Sequence, residues 1–171
     1  MNEPVVTVPL NPPAVVGSRH GQQYSDWAYN DPAGIVTAAY RNLQGVEFDT
    51  FVARGLSGIL VAPLLARAMS RNFLIVRKPD ENSHSSCKVE GTFGRKWVFL
   101  DDFIAGGGTF CACREAVAQH ARVPHELIGA YCYQTPPWEY TEEKPPPPRC
   151  AANWGRFRYW DLNTNGWLDS I

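Results

Sequence analysis

Asp101 and Asp102 stand side by side in the stretch WVFLDDFIAGGGT, between an apolar run and a loop holding Gly106, Gly107, Gly108 and Thr109. Residues 96–100 read as a buried strand and residues 108–121 as a helix, so the loop opens a helix N-terminus. Free backbone N–H groups and the positive end of the helix dipole favour an anion there. Glycines let the backbone approach a ligand closely and take positive φ, and Thr109 adds a hydroxyl donor. Such a loop suits a phosphate. Ionised carboxylates only accept hydrogen bonds, so the acid pair asks for a different group, and hydroxyls are the natural donors. A vicinal diol beside a phosphate describes a ribose 5-phosphate, held by the loop at one end and by the acids at the other.

The elements that must position these residues follow from pattern. Asp31 and Pro32 read as an N-cap and first helical position, with Ile35, Val36, Ala39, Tyr40 and Leu43 at helical spacing and Gly45 closing the segment. Residues 48–53 predict a short strand, 54–58 a turn with two glycines, 59–70 an apolar helix and 72–77 a buried strand. Residues 78–94 lack apolar periodicity and predict a long functional loop. A last core strand is expected over 126–133. Strands alternating with helices imply an α/β protein, with a parallel sheet flanked by helices. The apolar strands fit a sheet covered on both faces. Ligands of such sheets bind beyond the carboxyl ends of the strands, where Asp101 and Asp102 fall.

The 171 residues suffice for one domain, with a core over about 31–135 and residues 1–30 and 136–171 as a small variable hood or flank. Past Tyr133 the Pro-rich run 145–148 favours extended backbone. Asn165-Gly166 between RFRYWDL and WLDSI signals a hairpin. DLNTNGWLD resembles the start of a calcium loop, but the terminal Glu would fall beyond Ile171, so a hairpin turn is expected. With a net charge of −1, nothing global argues for a nucleic-acid or anionic-membrane partner. The longest apolar run, 58–69, is broken by Pro63 and Arg67 and is too short to span a bilayer. The N-terminus lacks a basic segment and does not read as a signal peptide. Cys87, Cys111, Cys113, Cys132 and Cys150 show no CxxC spacing and are expected as reduced thiols in a cytoplasmic protein.

WVFLDDFIAGGGT closely resembles the signature by which type I phosphoribosyltransferases bind phosphoribosyl pyrophosphate. The resemblance spans roughly residues 48–133 and implies that family's α/β fold. It implies that Asp101 and Asp102 contact the ribose hydroxyls, and that Ala105, Gly106, Gly107, Gly108 and Thr109 cradle the 5-phosphate. Gly106 stands where many members carry Thr. FDTFVARGLSGILVAPLLARAM resembles the pyrophosphate loop, with Arg54 before Gly55 and the Ala53–Arg54 bond as the candidate for a strained cis peptide. RKPDENSHSSCKVEG resembles the catalytic loop, which directs Arg77 and Lys78 at the pyrophosphate and puts His84 in the mobile part. The loop lysine of orotate-type members is absent, and Lys88 is a candidate substitute.

The implied activity is that of a glycosyltransferase of nucleotide metabolism: a 5-phosphoribosyl group moves to a nucleobase nitrogen and pyrophosphate leaves. Mg2+ is the implied cofactor, with Asp101 and Asp102 reaching it indirectly through ribose hydroxyls or water. Phosphoribosyl pyrophosphate and a nucleobase are the implied partners. Related enzymes are often dimers, so a homodimer is one expected assembly, in which a neighbouring subunit could supply the missing lysine. The short loop with His84 and an echo at Tyr24 and Asp26 lean towards an orotate or other pyrimidine acceptor. ARGLSG and VRKP also resemble adenine-type members, which keeps a purine acceptor open. Trp138, Trp154, Phe157, Tyr159 and Trp160 could stack on a base or pack the hood. Some relatives are regulators, so a non-catalytic sensor of phosphoribosyl pyrophosphate or nucleotide is the alternative of another class. No glycine-rich loop ends in the Lys-Ser/Thr of a P-loop, which argues against a P-loop nucleotide-binding protein.

Overall fold

The computed structural model describes residues 28, 30–78, 87–134, 157–162 and 164–169. Helix α1 spans Pro32–Leu43, and Asp31 caps it by accepting a hydrogen bond from the Gly34 backbone N–H at 2.8 Å. Its Ile35, Ala39 and Leu43 are buried, as their spacing predicts. Strand β1 (Thr50–Arg54) runs directly into helix α2 (Gly55–Met69). The turn expected over 54–58 is therefore already helix. Gly55, at φ 76°, makes the change of direction within one residue. Strands β2 (Asn72–Val76), β3 (Val89–Gly91) and β4 (Lys96–Asp101) follow, then helix α3 (Gly108–His120) and strand β5 (Glu126–Cys132). A hairpin of β6 (Arg158–Asp161) and β7 (Gly166–Asp169) completes the described chain.

The sheet has seven strands in the order β3-β2-β1-β4-β5-β6-β7. The pairs β1–β2, β1–β4, β4–β5 and β5–β6 are parallel, whereas β2–β3 and β6–β7 are antiparallel. The centre is thus the expected parallel sheet, and each edge is finished by an antiparallel strand. β3 arises inside a segment with no apolar pattern. An edge strand that is mostly exposed needs backbone pairing rather than apolar side chains, and Arg77 N–H to Lys88 O (3.0 Å) and Thr92 N–H to Phe73 O (3.0 Å) extend that pairing. Residues 158–169 extend the sheet beyond β5. Their turn is stabilised by Asp161 Oδ2, which accepts from the Thr164 N–H (3.3 Å) and hydroxyl (2.7 Å).

Side chains alternate across the central strands and build a core on each face. Phe51, Ala53, Val98, Leu100 and Tyr131 pack with α1 and α2 residues such as Leu43, Val61 and Leu65. Val52, Trp97, Phe99 and Ala130 pack with α3 through Phe110, Cys113 and Val117. Burying each large side chain of this kind stabilises the fold by about 1.5–3 kcal/mol. At the end of the sheet remote from Asp101, Asp49 ties β1 to β4. Its carboxylate accepts from the Thr50 hydroxyl (2.6 Å) and from the backbone N–H groups of Arg95 (2.7 Å) and Lys96 (2.9 Å).

Two further expectations are corrected. The Ala53–Arg54 peptide bond is trans, as are the other described bonds, because Gly55 supplies the reversal instead. Cys111 is disulfide-bonded, so the cysteines are not all reduced thiols; Cys87, Cys113 and Cys132 are outside any disulfide. Cys111 and Cys113 differ as the helix predicts, the first half-buried and the second facing the core. No helix among the described residues is long and apolar enough to cross a membrane.

Candidate active site

The strand order reverses direction between β1 and β4. From β1 the chain passes through α2 to β2 on one side, and from β4 through α3 to β5 on the other. Helices leaving such a pair of strands diverge to opposite faces and open a crevice at the carboxyl ends. Arg54 ends β1 and Asp101 ends β4, so the topology alone brings the two segments together. A cavity of about 580 Å³ lies there, lined by Arg54–Ser57, Lys78, Phe99 and the whole of Asp101–Phe110.

Each wall has a local cause. Helix α2 sits close against the end of β4: a Cβ added at Gly58 would lie 2.9 Å from Ala53 Cβ and 3.0 Å from the Leu100 carbonyl oxygen. That approach carries Ser57 to the acids, where its hydroxyl donates to Asp101 Oδ1 at 2.8 Å. Lys78 leaves the end of β2 and reaches back, with its ammonium 3.6 Å from the Cβ position of Gly55. The Arg54 Nε is buried with no hydrogen-bond partner among the described residues, as suits a donor kept for an anionic ligand. On the opposite wall Gly107, at φ 73°, is the N-cap of α3. No side chain caps that helix and no acid occupies its first turn, so its dipole and amide donors remain for an anion. Nothing lies within 4 Å of the Cβ positions of Gly106 and Gly108, so the loop faces open space.

The acids are only 6% and 7% exposed. Burial, and then the charge of Asp102, push the Asp101 carboxyl up to about 7, against the Ser57 hydrogen bond that favours its ionised form. Burial also raises Asp102, opposed by the Phe103 N–H donating to its Oδ1 at 2.7 Å. Two buried carboxylates with few donors form a site that gains when hydroxyls or a cation arrive. Tyr133 is raised as well, by burial and then by the charges of Asp102 and Asp101.

Of the residues expected from sequence, Arg54, Gly55, Lys78, Asp101, Asp102, Ala105, Gly106, Gly107, Gly108 and Thr109 all line this one cavity. Arg77 does not line it; its guanidinium pairs with Glu90 on β3 at 2.9 Å. Lys88 also stands apart from the lining. His84, Tyr24, Asp26, Trp138 and Trp154 lie outside the described residues. Phe157 packs on Phe110 with ring centroids 4.8 Å apart, and Trp160 packs on Trp167 at 5.4 Å. Neither lines the cavity, and nor does Tyr159. Ser57, Phe103 and Ile104 are lining residues to which sequence reasoning gave no role. For Ser57 the available signal was its place in the same glycine-bounded segment as Arg54.

Fold and site together define an α/β protein whose switch-point cavity pairs an acid dyad with a helix-terminal anion loop and two cations. No protein-family model matches the chain. Over 103 residues it is 27% identical to the orotate phosphoribosyltransferase of Sulfurovum sp. (strain NBC37-1). The alignment covers 58% of this chain and 51% of that protein, so the chain spans about half the length of this curated relative. Among solved structures, the Mycobacterium tuberculosis orotate phosphoribosyltransferase in complex with 5-phospho-α-D-ribosyl 1-diphosphate superposes with a TM-score of 0.48 and 19% identity, covering 60% of this chain and 59% of that one. The adenine phosphoribosyltransferase of Thermoanaerobacter pseudethanolicus gives 0.47 and 20%, covering 59% and 66%.

Proposed function

We propose that the chain is a phosphoribosyltransferase. It would transfer the 5-phosphoribosyl group of phosphoribosyl pyrophosphate to a ring nitrogen of a nucleobase, with orotate as the favoured acceptor. The observation that carries this reading is the single cavity in which Arg54, Lys78, the acid pair and the 105–109 loop converge. The curated relative, an orotate phosphoribosyltransferase, supports the acceptor.

In this reading the 105–109 loop and the N-terminus of α3 bind the 5-phosphate. Asp101 and Asp102 accept hydrogen bonds from the ribose hydroxyls and so fix the sugar. Arg54 and Lys78 meet the pyrophosphate, Arg54 through directed donors and Lys78 as a point charge. The bond from ribose C1 to the pyrophosphate oxygen breaks, and its electron pair leaves with the pyrophosphate. The lone pair of the base nitrogen forms the new bond to C1, and the base gives up the proton that nitrogen carried. Positive charge on the sugar ring at the transition state lies over the acid pair, whose negative charge favours it. The protein's work is positioning and electrostatics, and no protein nucleophile is required.

Among the described residues no group of three or more His, Cys, Asp or Glu could hold a metal. Two carboxylates on their own fit a magnesium ion that substrate oxygens and water mainly hold, with Asp101 and Asp102 reaching it through the ribose hydroxyls or water. When bound, the ion would supply charge neutralisation of the leaving group. Arg77 would have to leave Glu90 to share that task. His84 remains a proposed loop contributor, as does a homodimer that supplies a loop residue; a strictly monomeric enzyme with full activity would exclude the latter. A cytoplasmic location belongs to the same proposal.

The test is pyrophosphate release from phosphoribosyl pyrophosphate and magnesium across orotate, uracil, adenine, guanine, hypoxanthine, xanthine and nicotinate, with Asp102→Asn as control. Release with orotate that the variant loses is the expected result. Release with a purine alone would move the acceptor. Silence across the panel with donor binding intact would replace the enzyme by a sensor, and no donor binding would refute the reading.

A further inference from the structure

Ser57 lies in the first turn of α2, on the same segment as Arg54, yet its hydroxyl is spent on the other wall of the cavity. It donates to Asp101 Oδ1 at 2.8 Å, and the Asp102 N–H donates to the same oxygen at 3.1 Å. On Asp102, Oδ1 accepts from the Phe103 N–H at 2.7 Å. One oxygen of each carboxylate is therefore tied to the protein. The two carboxyls also lie within hydrogen-bonding reach of each other, and the Ser57 hydroxyl within reach of Asp102. The bonds to Oδ1 set the direction in which the second oxygen of each carboxyl points. Asp101 has two such bonds, and only the one from Ser57 comes from outside the acid pair.

We propose that Ser57 is a positioning residue for the sugar-binding acids. Its hydroxyl holds the Asp101 carboxylate in the rotamer that leaves Oδ2 to accept a ligand hydroxyl alongside Asp102. It also joins the arginine-bearing segment at the end of β1 to the acid pair at the end of β4, so the anion-binding and diol-binding parts move as one unit. The buried Tyr133 hydroxyl lies within reach of Ser57, without the geometry of a hydrogen bond to any described residue. This inference rests on the phosphoribosyl reading for its ligand. Its geometric content, the control of the Asp101 rotamer by Ser57, stands separately.

Calorimetric titration of phosphoribosyl pyrophosphate with magnesium into the full chain, Ser57→Ala and Ser57→Thr tests it, with inorganic phosphate as a second probe. A hydrogen bond to a charged acceptor corresponds to about 10- to 100-fold in affinity. Ser57→Ala should weaken donor binding by about that factor and raise the donor KM, while the acceptor KM and the affinity for inorganic phosphate stay put. Ser57→Thr keeps the hydroxyl and should recover donor binding to within about 3-fold of the starting chain. Unchanged donor affinity in Ser57→Ala, or equal losses for donor and phosphate with no recovery in Ser57→Thr, would overturn the proposal. If the unmodified chain binds no donor, the phosphoribosyl reading fails. A crystal structure of Ser57→Ala then decides on Ser57: a rotated Asp101 carboxylate supports the positioning role and an unchanged one refutes it.

Discussion

Replacing Asp101 by Asn should stabilise the free protein and flatten its response to pH. The carboxyl is 6% exposed and is moved from an ordinary value of 3.8 to about 7, by burial first and the Asp102 charge second. Below about pH 4 it is protonated in both the folded and the unfolded chain. Between about pH 4 and 7 the folded chain keeps a proton that the unfolded chain has lost, so stability falls as pH rises. Above about pH 7 both forms are ionised and the full cost persists, on the order of 4 kcal/mol for a displacement of this size. Asp102 shares the titration and the site relaxes, so a measured difference of about 1–3 kcal/mol is expected. Asparagine is close to isosteric, and its Oδ1 still accepts from Ser57 and from the Asp102 N–H. Urea unfolding of both proteins at pH 5, 6.5 and 8, without magnesium or phosphate, measures this directly. The original chain should lose about 1–3 kcal/mol more than the variant between pH 5 and 8. Parallel curves, or a variant that is less stable at pH 8, would refute the account of the acid pair as a desolvated, mutually repelling site. The same variant should bind the sugar-phosphate donor more weakly, since the stability gained is what ligand hydroxyls and magnesium recover in the complex.

Gly129→Ala should displace the C-terminal hairpin, because the new Cβ would fall 2.3 Å from Trp167 Cζ3 and 2.8 Å from the Arg158 carbonyl oxygen. A loss of about 1–3 kcal/mol is expected, with altered tryptophan fluorescence and an unchanged affinity for inorganic phosphate. Gly55→Ala meets only ordinary contacts with Lys78, at 3.5 and 3.6 Å, so its cost is the positive φ alone, about 1–2 kcal/mol. Chemical denaturation should show that loss, and donor binding should weaken because Arg54 and Lys78 flank the turn. Gly106→Ala enters open space without positive φ and should leave the unfolding free energy within about 0.5 kcal/mol of the starting chain.

The part of the site legible in the sequence is the part made by consecutive residues. From Trp97 to Thr109 a buried strand, two acids, a small-residue loop and a helix start follow one another, and backbone propensity alone sets their relative placement. The same holds for the Asp31 cap of α1 and the Asn165-Gly166 turn. Other features depended on what packs against a segment. Arg77 follows a strand as a pyrophosphate ligand would, yet β3 pairs with β2 and offers Glu90, which takes the guanidinium. The 54–58 segment reads as a turn, but Gly55 turns the chain in one residue and α2 begins at once. The aromatics Phe157 and Trp160 had to go either to a ligand or to a core, and in the fold they pack into the cores on the two opposite faces of the sheet. Most of all, strand order lies beyond local pattern. Only when β1 settles between β2 and β4 do Arg54 and Ser57 reach Asp101, because the free energy that chooses the order comes from burying both faces of the sheet at once. The sequence by itself determined the anion loop and the acid pair; the tertiary structure decided what stands opposite them.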